Sequence, residues 1–184
     1  MVGRRHLLEA QLAFAAISRL LIAGALVLVT PAASAEDWDR LFSPTLGDLR
    51  ADLAEVKASG RKGMVIMYHF EECPYCQRMK TGVLAQREVH DWYLREFVAV
   101  AIDTRGSQAI TGLDGKVLPE RDFARAQGLR GTPTFDFIAP DGTPVYRHVG
   151  ALYDTVSFVG LGRYVASGAY RSQTFKAFLN AQPQ

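Results

Sequence analysis

The sequence predicts a single α/β domain in which helices cover both faces of a mixed central sheet. Two short apolar runs, Met64 to Phe70 and Phe97 to Asp103, are typical of buried strands, and a helix-like segment lies between them. Strands that are joined through a helix are expected to pair in parallel. A later strand–turn–strand segment around Asp141-Gly142 predicts an antiparallel hairpin on the same sheet.

The first 35 residues have the pattern of a secretory signal. Arg4-Arg5 lies near the start, the apolar run Leu20 to Thr30 follows, and Ala33-Ser34-Ala35 fits the small-x-small rule for signal-peptidase cleavage. The apolar run is about half of the ~20 residues that a membrane-spanning helix needs. We therefore predict export with cleavage after Ala35, by the Sec or the twin-arginine route. The alternative is a retained membrane anchor.

Length and charge limit the remaining possibilities. The chain has 184 residues, which is enough for one domain with a sizeable core but too few for two ordinary domains. It contains 21 Lys and Arg against 19 Asp and Glu, and residues 1–35 hold three of the former and one of the latter. The exported part is therefore formally neutral, and no nucleic-acid partner is predicted. We expect a lead-in over residues 36–44 and one monomeric domain over residues 45–184.

The first half of the domain follows from helical spacing and the buried strands. Thr45 is predicted to cap a first helix, and Gly60 is predicted to end it. Four apolar residues of this helix recur at helical spacing: Leu46, Leu49, Leu53 and Val56. After the first strand, Cys76 to Leu94 is predicted to be helical, with a kink at Gly82.

Turn signals and glycines organise the second half. Residues 104–118 form a glycine-rich loop, with a small hairpin predicted at Asp114-Gly115. Pro119 stands at the predicted first position of a helix that closes near Gly128. After the late hairpin, a closing helical region is predicted to be split by Gly168.

Both cysteines lie in the stretch YHFEECPYCQRM, where the first strand is predicted to pass into a helix. An exported protein can form disulfides, but a bond between Cys73 and Cys76 would close almost no loop and would stabilise the fold little. A zinc site needs about four ligands, and no paired ligand motif accompanies these two. A thiol at a helix N-terminus ionises more easily, because unpaired N–H groups and a partial positive charge lie there. We therefore interpret the cysteines as a redox pair in which Cys73 attacks and Cys76 resolves.

The chain resembles the thioredoxin superfamily over roughly Leu46 to Leu179. A strand, then Cys-Pro-Tyr-Cys, then a helix is the first anchor, and GLRGTPTFDFI is the second. Thr132-Pro133 stands in the place of the family's cis-proline loop. The resemblance implies a thioredoxin fold, a cis bond before Pro133, a redox disulfide Cys73–Cys76, and substrate-binding roles for Thr132 and Pro133. Pro74 and Tyr75, between the cysteines, are further candidate substrate contacts.

Within the superfamily, the chain is similar to periplasmic proteins of the SoxW type. The signal, the longer loop after the second strand and the ending GRYVASGAYRSQTFKAFL carry this likeness. It implies a periplasmic thiol–disulfide oxidoreductase that reduces protein disulfides for sulfur oxidation or cytochrome maturation, with a membrane electron donor. No cofactor and no metal are expected, because the dithiol itself carries two electrons. The alternatives are a Dsb-type oxidase or isomerase, and a non-catalytic binding module with this fold.

The residue at position 67 and the dipeptide between the cysteines depart from the thioredoxin pattern. Met67 stands where thioredoxin has a buried Asp, so the usual proton acceptor for the inner cysteine is missing. Glu71, Glu72 or water could substitute, while the two carboxylates oppose ionisation of Cys73. Cys-Pro-Tyr-Cys is the glutaredoxin dipeptide, but the Gly-Gly-x-x-Asp segment for glutathione is absent. His69, before the motif, is predicted to be a boundary side chain and not a base.

Overall fold

The structure is a computed structural model that describes residues 38–44 and 46–182. The predicted signal over residues 1–35 and the predicted cap Thr45 lie outside the described residues. In the described part of the chain, no helix combines the length and the apolar character needed to cross a membrane. The described residues form the predicted α/β architecture, a mixed sheet with helices on both faces.

The described residues contain seven helices, two 3₁₀ turns and seven strands. The helices are α1 Trp38–Leu41, α2 Leu49–Ser59, α3 Pro74–Thr81, α4 Arg87–Glu96, α5 Glu120–Ala126, α6 Thr155–Ala166 and α7 Phe175–Asn180. The 3₁₀ turns are Val83–Ala85 and Ala169–Arg171. The strands are β1 Ser43–Pro44, β2 Gly63–His69, β3 Phe97–Asp103, β4 Ala109–Thr111, β5 Val117–Pro119, β6 Thr134–Ile138 and β7 Pro144–Val149.

The main sheet has five strands in the order β1-β3-β2-β6-β7. β2 and β3 pair in parallel along their whole length, with Gly63 opposite Phe97 and His69 opposite Asp103. A parallel pair needs a crossover connection, and α3 and α4 supply it here. β6 and β7 pair antiparallel, and β6 joins β2 antiparallel. The predicted mixed sheet is therefore confirmed.

The central strand β2 separates two hydrophobic cores, because successive side chains of a strand point to opposite faces. Val65 and Met67 lie in the core that α3, α4 and α6 cover. Ile66 and Tyr68 lie in the core that α2 and α5 cover. Both cysteines belong to the first of these cores, so the redox pair sits on one identified face of the sheet.

The start of α2 differs from the prediction. The helix begins at Leu49, and the carboxylate of Asp48 caps it by accepting from Arg50 N at 2.9 Å. Leu46 is outside the helix and fully exposed. Aspartate is among the strongest N-cap residues, so Asp48 determines where the helix begins. Gly60 ends the helix as predicted, at the left-handed φ of 69° that suits glycine.

The helical segment after the cysteines is broken, which the prediction of one kinked helix missed. α3 ends at Thr81, and a 3₁₀ turn leads into α4 at Arg87. The break falls at Gly82, the residue that was predicted to kink the helix. The change of direction lets Tyr93 of α4 stack on Phe158 of α6, with ring centroids 4.7 Å apart, and donate its hydroxyl to Phe158 O at 2.7 Å.

The turn predictions are confirmed. β4 and β5 form the small hairpin at Asp114-Gly115, and the Asp141-Gly142 turn joins β6 to β7. Gly168 follows α6 with a φ of 75°.

Pro119 is the N-cap of α5 and not its first helical residue, which differs from the prediction. Within residues 36–44, the short elements α1 and β1 were not predicted, because two to four residues carry no measurable periodicity.

Candidate active site

Cys73 and Cys76 form a disulfide at the N-terminus of α3, with Cα atoms 5.2 Å apart. Cys73 is the N-cap, and its Sγ accepts a hydrogen bond from Cys76 N at 3.2 Å. Pro74 occupies the first turn, where its missing N–H costs nothing. In the dithiol form the same N–H would face a Cys73 thiolate, which is the arrangement that favours ionisation.

The two cysteines are covered, whereas the two residues between them are exposed. Cys73 is 1% exposed and Cys76 is fully buried. Pro74 is exposed, and Tyr75 is 62% exposed. The exposed surface beside the buried disulfide is therefore formed by Pro74 and Tyr75.

The loop before β6 contacts the outer cysteine directly. The Thr132-Pro133 peptide bond is cis, as the resemblance implies. The Thr132 hydroxyl donates to Cys73 Sγ at 3.3 Å, and the Thr132 carbonyl oxygen lies 3.7 Å from the same sulfur. Gly150 N donates to Pro133 O at 2.9 Å and holds the loop against the end of β7. The structure thus brings Cys73, Cys76 and Thr132-Pro133 together.

The two glutamates before Cys73 both have cationic neighbours. Glu72 Oε2 lies 3.0 Å from Arg105 Nη1, and Glu71 Oε2 lies 3.7 Å from Lys80 Nζ. Both carboxylates are largely exposed, so each pair contributes little to stability. The cations do offset the negative charge beside Cys73 that the sequence analysis expected to oppose its ionisation.

The place of the family's buried aspartate is apolar. Met67 is fully buried and lies between Ala101 and Phe135 in the sheet register. The nearest buried polar side chain along the same face of β2 is His69, two residues on. Its Nδ1 is buried, and within residues 38–44 and 46–182 it has no hydrogen-bond partner. Burial, and next the charge of Lys80, lower the pKa of His69 to about 4.

His69 belongs to a small polar cluster that the sequence analysis did not identify. Lys80 is 4% exposed, and its Nζ lies 4.1 Å from the centroid of the Trp38 ring. The Trp38 ring meets the His69 ring edge-on at 5.2 Å, and burial lowers the pKa of Lys80. The available signal was the spacing of Lys80, four residues after Cys76 on the same helix face.

The described residues offer no metal centre, since no group of three or more His, Cys, Asp or Glu side chains converges among them. A cavity of about 630 Å³ lies on the other face of the sheet, where Ile66, Tyr68 and Phe123 line it. Neither cysteine borders this cavity. The redox pair instead adjoins a shallower groove of about 400 Å³, which Phe70 and Thr132 help to line.

Comparison with known proteins agrees with this geometry. Residues 49–166 match the family model described as a thioredoxin-like domain. A thioredoxin-fold protein from Helicobacter pylori superposes with a TM-score of 0.61 at 17% identity, covering 78% of this chain and 92% of the other. A thioredoxin from Thermus thermophilus gives 0.51 at 28% identity, covering 68% of this chain and 92% of the other. No curated protein sequence matches the chain.

The family match covers the strand that leads to the cysteines, the cis-proline loop and α6. It spans well over half of the chain, and the five-stranded sheet and the Cys-x-x-Cys disulfide on α3 accord with it. The chain belongs to the thioredoxin-like domain family.

Proposed function

We propose that this protein is an exported thiol–disulfide oxidoreductase that reduces disulfides of other proteins. The observation that carries the proposal is the position of Cys73. It caps α3, is bonded to Cys76, and contacts Thr132 of the cis-proline loop within 3.3 Å. A purely structural disulfide at this spacing would stabilise the fold little, because it constrains the unfolded chain weakly.

The reaction begins from the dithiol. The Cys73 thiolate attacks one sulfur of the substrate disulfide, so a mixed disulfide forms and one substrate thiolate leaves. The Cys76 thiolate then attacks Cys73 Sγ, which forms the Cys73–Cys76 disulfide and releases the second substrate thiol. Two electrons pass to the substrate, whose sulfurs each take up a proton. A dithiol donor returns two electrons to complete the cycle.

Each neighbouring group has a defined part in this scheme. Cys76 N–H and the Thr132 hydroxyl both point at Cys73 Sγ, and both stabilise negative charge there. Pro74, Tyr75, Thr132 and Pro133 form the surface that a substrate segment contacts. The Cys76 thiol, buried in apolar surroundings, becomes reactive when the mixed disulfide places a sulfur against it.

The proposal also covers the cellular location of the protein, its electron donor and its substrates. The signal pattern of residues 1–35 supports the periplasm, and the SoxW-like features support a membrane electron donor and a sulfur-oxidation or cytochrome-maturation substrate. We propose that the protein acts as a monomer without a bound cofactor. The likeness to a thioredoxin supports the reducing direction over a Dsb-type oxidase or isomerase.

A turnover assay tests the activity. With dithiothreitol as electron donor, the wild-type protein is expected to accelerate reduction of insulin disulfides, and Cys73→Ser is expected to abolish the acceleration. Equal rates for the two proteins would indicate a non-catalytic binding module.

Equilibration with glutathione tests whether the protein acts as a reductase or as an oxidase. We expect a reduction potential nearer to thioredoxin's, about −270 mV, than to DsbA's, about −120 mV. A value near the latter favours the oxidase.

A further inference from the structure

We infer that a basic groove beside Cys73 selects substrate disulfides that are flanked by acidic residues. This inference rests on the proposed function and specifies its substrate class. The groove, called the arginine groove below, has a volume of about 400 Å³. Its lining includes three arginines, two apolar residues and the threonine of the cis-proline loop: Arg121, Arg125, Arg130, Phe70, Leu129 and Thr132.

The arginine groove adjoins Cys73 through two of its lining residues, Thr132 and Phe70. The Thr132 hydroxyl donates to Cys73 Sγ at 3.3 Å, and Cys73 N donates to Phe70 O at 3.3 Å. Two lining residues of the groove therefore touch the attacking cysteine on two sides. A peptide segment that lies in the groove has its neighbouring disulfide next to Cys73.

The outer part of the arginine groove carries uncompensated positive charge. The side chains of Arg121, Arg125 and Arg130 are all exposed. Arg125 lies 2.8 Å from Asp122 and is neutralised by it. Among the described residues, neither Arg121 nor Arg130 takes part in an ion pair, so two guanidinium groups remain available.

The acidic residues near this surface do not cancel those two charges. Glu72 is paired with Arg105, which lies over the Phe70 ring at 3.8 Å, so these two charges offset each other. Glu120 is buried, and its Oε1 accepts from Asp103 N at 3.1 Å. Asp103 in turn accepts from Arg105 N at 2.8 Å. One oxygen of each of these three carboxylates is thus engaged in a contact outside the groove lining.

An acidic peptide segment fits this combination of features. Guanidinium groups bind carboxylates through paired N–H donors and hold them in a fixed geometry. Phe70 and Leu129 provide apolar surface in the same groove. A segment of a protein substrate with Asp or Glu a few residues from its cysteine can contact both regions while its disulfide meets Cys73.

The test compares three peptides that share one disulfide and differ only in flanking residues: Glu, Gln or Lys. We expect wild-type kcat/KM to favour the Glu peptide over the Gln peptide about tenfold at low salt, the combined effect of two exposed ion pairs. The preference should nearly vanish at about 1 M salt, where screening is strong.

Two variants and a control locate the effect. The double variant Arg121→Ala, Arg130→Ala is expected to bring the Glu to Gln ratio close to one, and Arg121→Glu, Arg130→Glu to favour the Lys peptide. Arg163→Ala is the matched control and should keep the wild-type ratio. It removes one exposed arginine from α6, which covers the opposite core from α5.

Failure of this inference is distinguishable from failure of the proposed function. A wild-type protein that reduces all three peptides equally, or a double variant that keeps the wild-type ratio, overturns the arginine groove as a selector but leaves the reductase. A wild-type protein that reduces no peptide faster than Cys73→Ser does removes the proposed function itself. Should a double variant unfold, the salt dependence of the wild-type ratio decides.

Discussion

Individual side chains around Cys73 set how readily its sulfur ionises. In the described part of the chain, the Thr132 hydroxyl and Cys76 N–H donate hydrogen bonds to this sulfur. Met67 leaves the space behind the pair without a carboxylate, so stabilisation of the thiolate depends on these donors and on the helix N-terminus. The Thr132 hydroxyl therefore both orients the Cys73 side chain and stabilises negative charge on its sulfur.

Thr132→Val removes that hydroxyl and keeps the shape of the side chain. In the reduced protein we expect the pKa of the Cys73 thiol to rise by about one unit, which corresponds to about 1.4 kcal/mol. The thiolate's ultraviolet absorbance followed against pH measures the change. Thr132→Ser retains the hydroxyl and should stay near wild type. Equal pKa values for wild type and Thr132→Val would mean that the hydroxyl does not act on the thiolate.

His69 should make stability depend on pH. Because its folded pKa of about 4 lies below the ordinary value of 6.5, the unfolded chain takes up a proton first as pH falls. The contribution of His69 to the free energy of unfolding is therefore fully present above about pH 6.5. It falls by about 2 to 3 kcal/mol as the pH is lowered towards 4. The charged groups that act on the ring are Lys80, Asp103 and Glu71.

His69→Phe removes this contribution and keeps an aromatic ring against Trp38. Urea unfolding from pH 8 to pH 4 is expected to give a flatter curve for the variant than for wild type. At pH 8 the imidazole is neutral in both states, so any difference there reports packing alone. Parallel curves across the range would show that His69 accepts a proton as easily when folded.

An ion pair between a buried aspartate and a partly exposed arginine joins β6 to β7. Asp136 of β6 and Arg147 of β7 are joined by two hydrogen bonds of 2.6 Å, and Arg147 also donates to Gln127 O beyond α5 at 2.9 Å. The pair therefore ties the strand that follows Pro133 to the helix that carries the arginine groove. The Asp136 side chain is only 10% exposed.

Arg147→Met leaves the Asp136 carboxylate buried without its partner. We expect a loss of about 3 kcal/mol in the free energy of unfolding, since a buried charge without a partner is costly. The double variant Asp136→Leu, Arg147→Met should recover most of the loss, and denaturant unfolding measures both. If the single and double variants were equally unstable, the cost would come from packing and not from the unpaired charge.

Sequence patterns predicted the elements that have strong local signals. The apolar runs predicted the bounds of β2 to within one residue and the bounds of β3 without error. The two Asp-Gly turns predicted both hairpins. The break at Gly82 and the start of α2 at Asp48 were misjudged, because a competing cap or a change of helix direction depends on later packing.

The candidate site was predictable for a similar reason. Cys73, Cys76 and Thr132-Pro133 carry motifs, and the fold brings them together. The cluster of His69, Lys80 and Trp38, and the arginine groove, carry none. Apart from the spacing of Lys80 after Cys76, no local pattern reveals them, because their members come from separate elements and meet only through the tertiary fold.

Taken over the entire domain, the structure sets the two buried sulfurs in different positions: Cys73 meets the cis-proline loop, and Cys76 lies inside the first turn of α3. The sheet places β2 at the centre, α3 carries the pair to its edge, and the loop before β6 comes back to meet Cys73. This asymmetry is the basis for assigning attack to Cys73 and resolution to Cys76, and it is open to direct measurement.

The most direct test is to trap the intermediate with Cys76→Ser. Reduced Cys76→Ser is mixed with a peptide disulfide, and the adduct is located by peptide mass spectrometry. We predict a stable mixed disulfide at Cys73, and no lasting adduct on wild type, where Cys76 releases the peptide. The matched variant Cys73→Ser should form little adduct. If Cys73→Ser formed an adduct at Cys76 as fast as Cys76→Ser does at Cys73, or faster, the assignment of attack to Cys73 and the mechanism that follows from it would be contradicted.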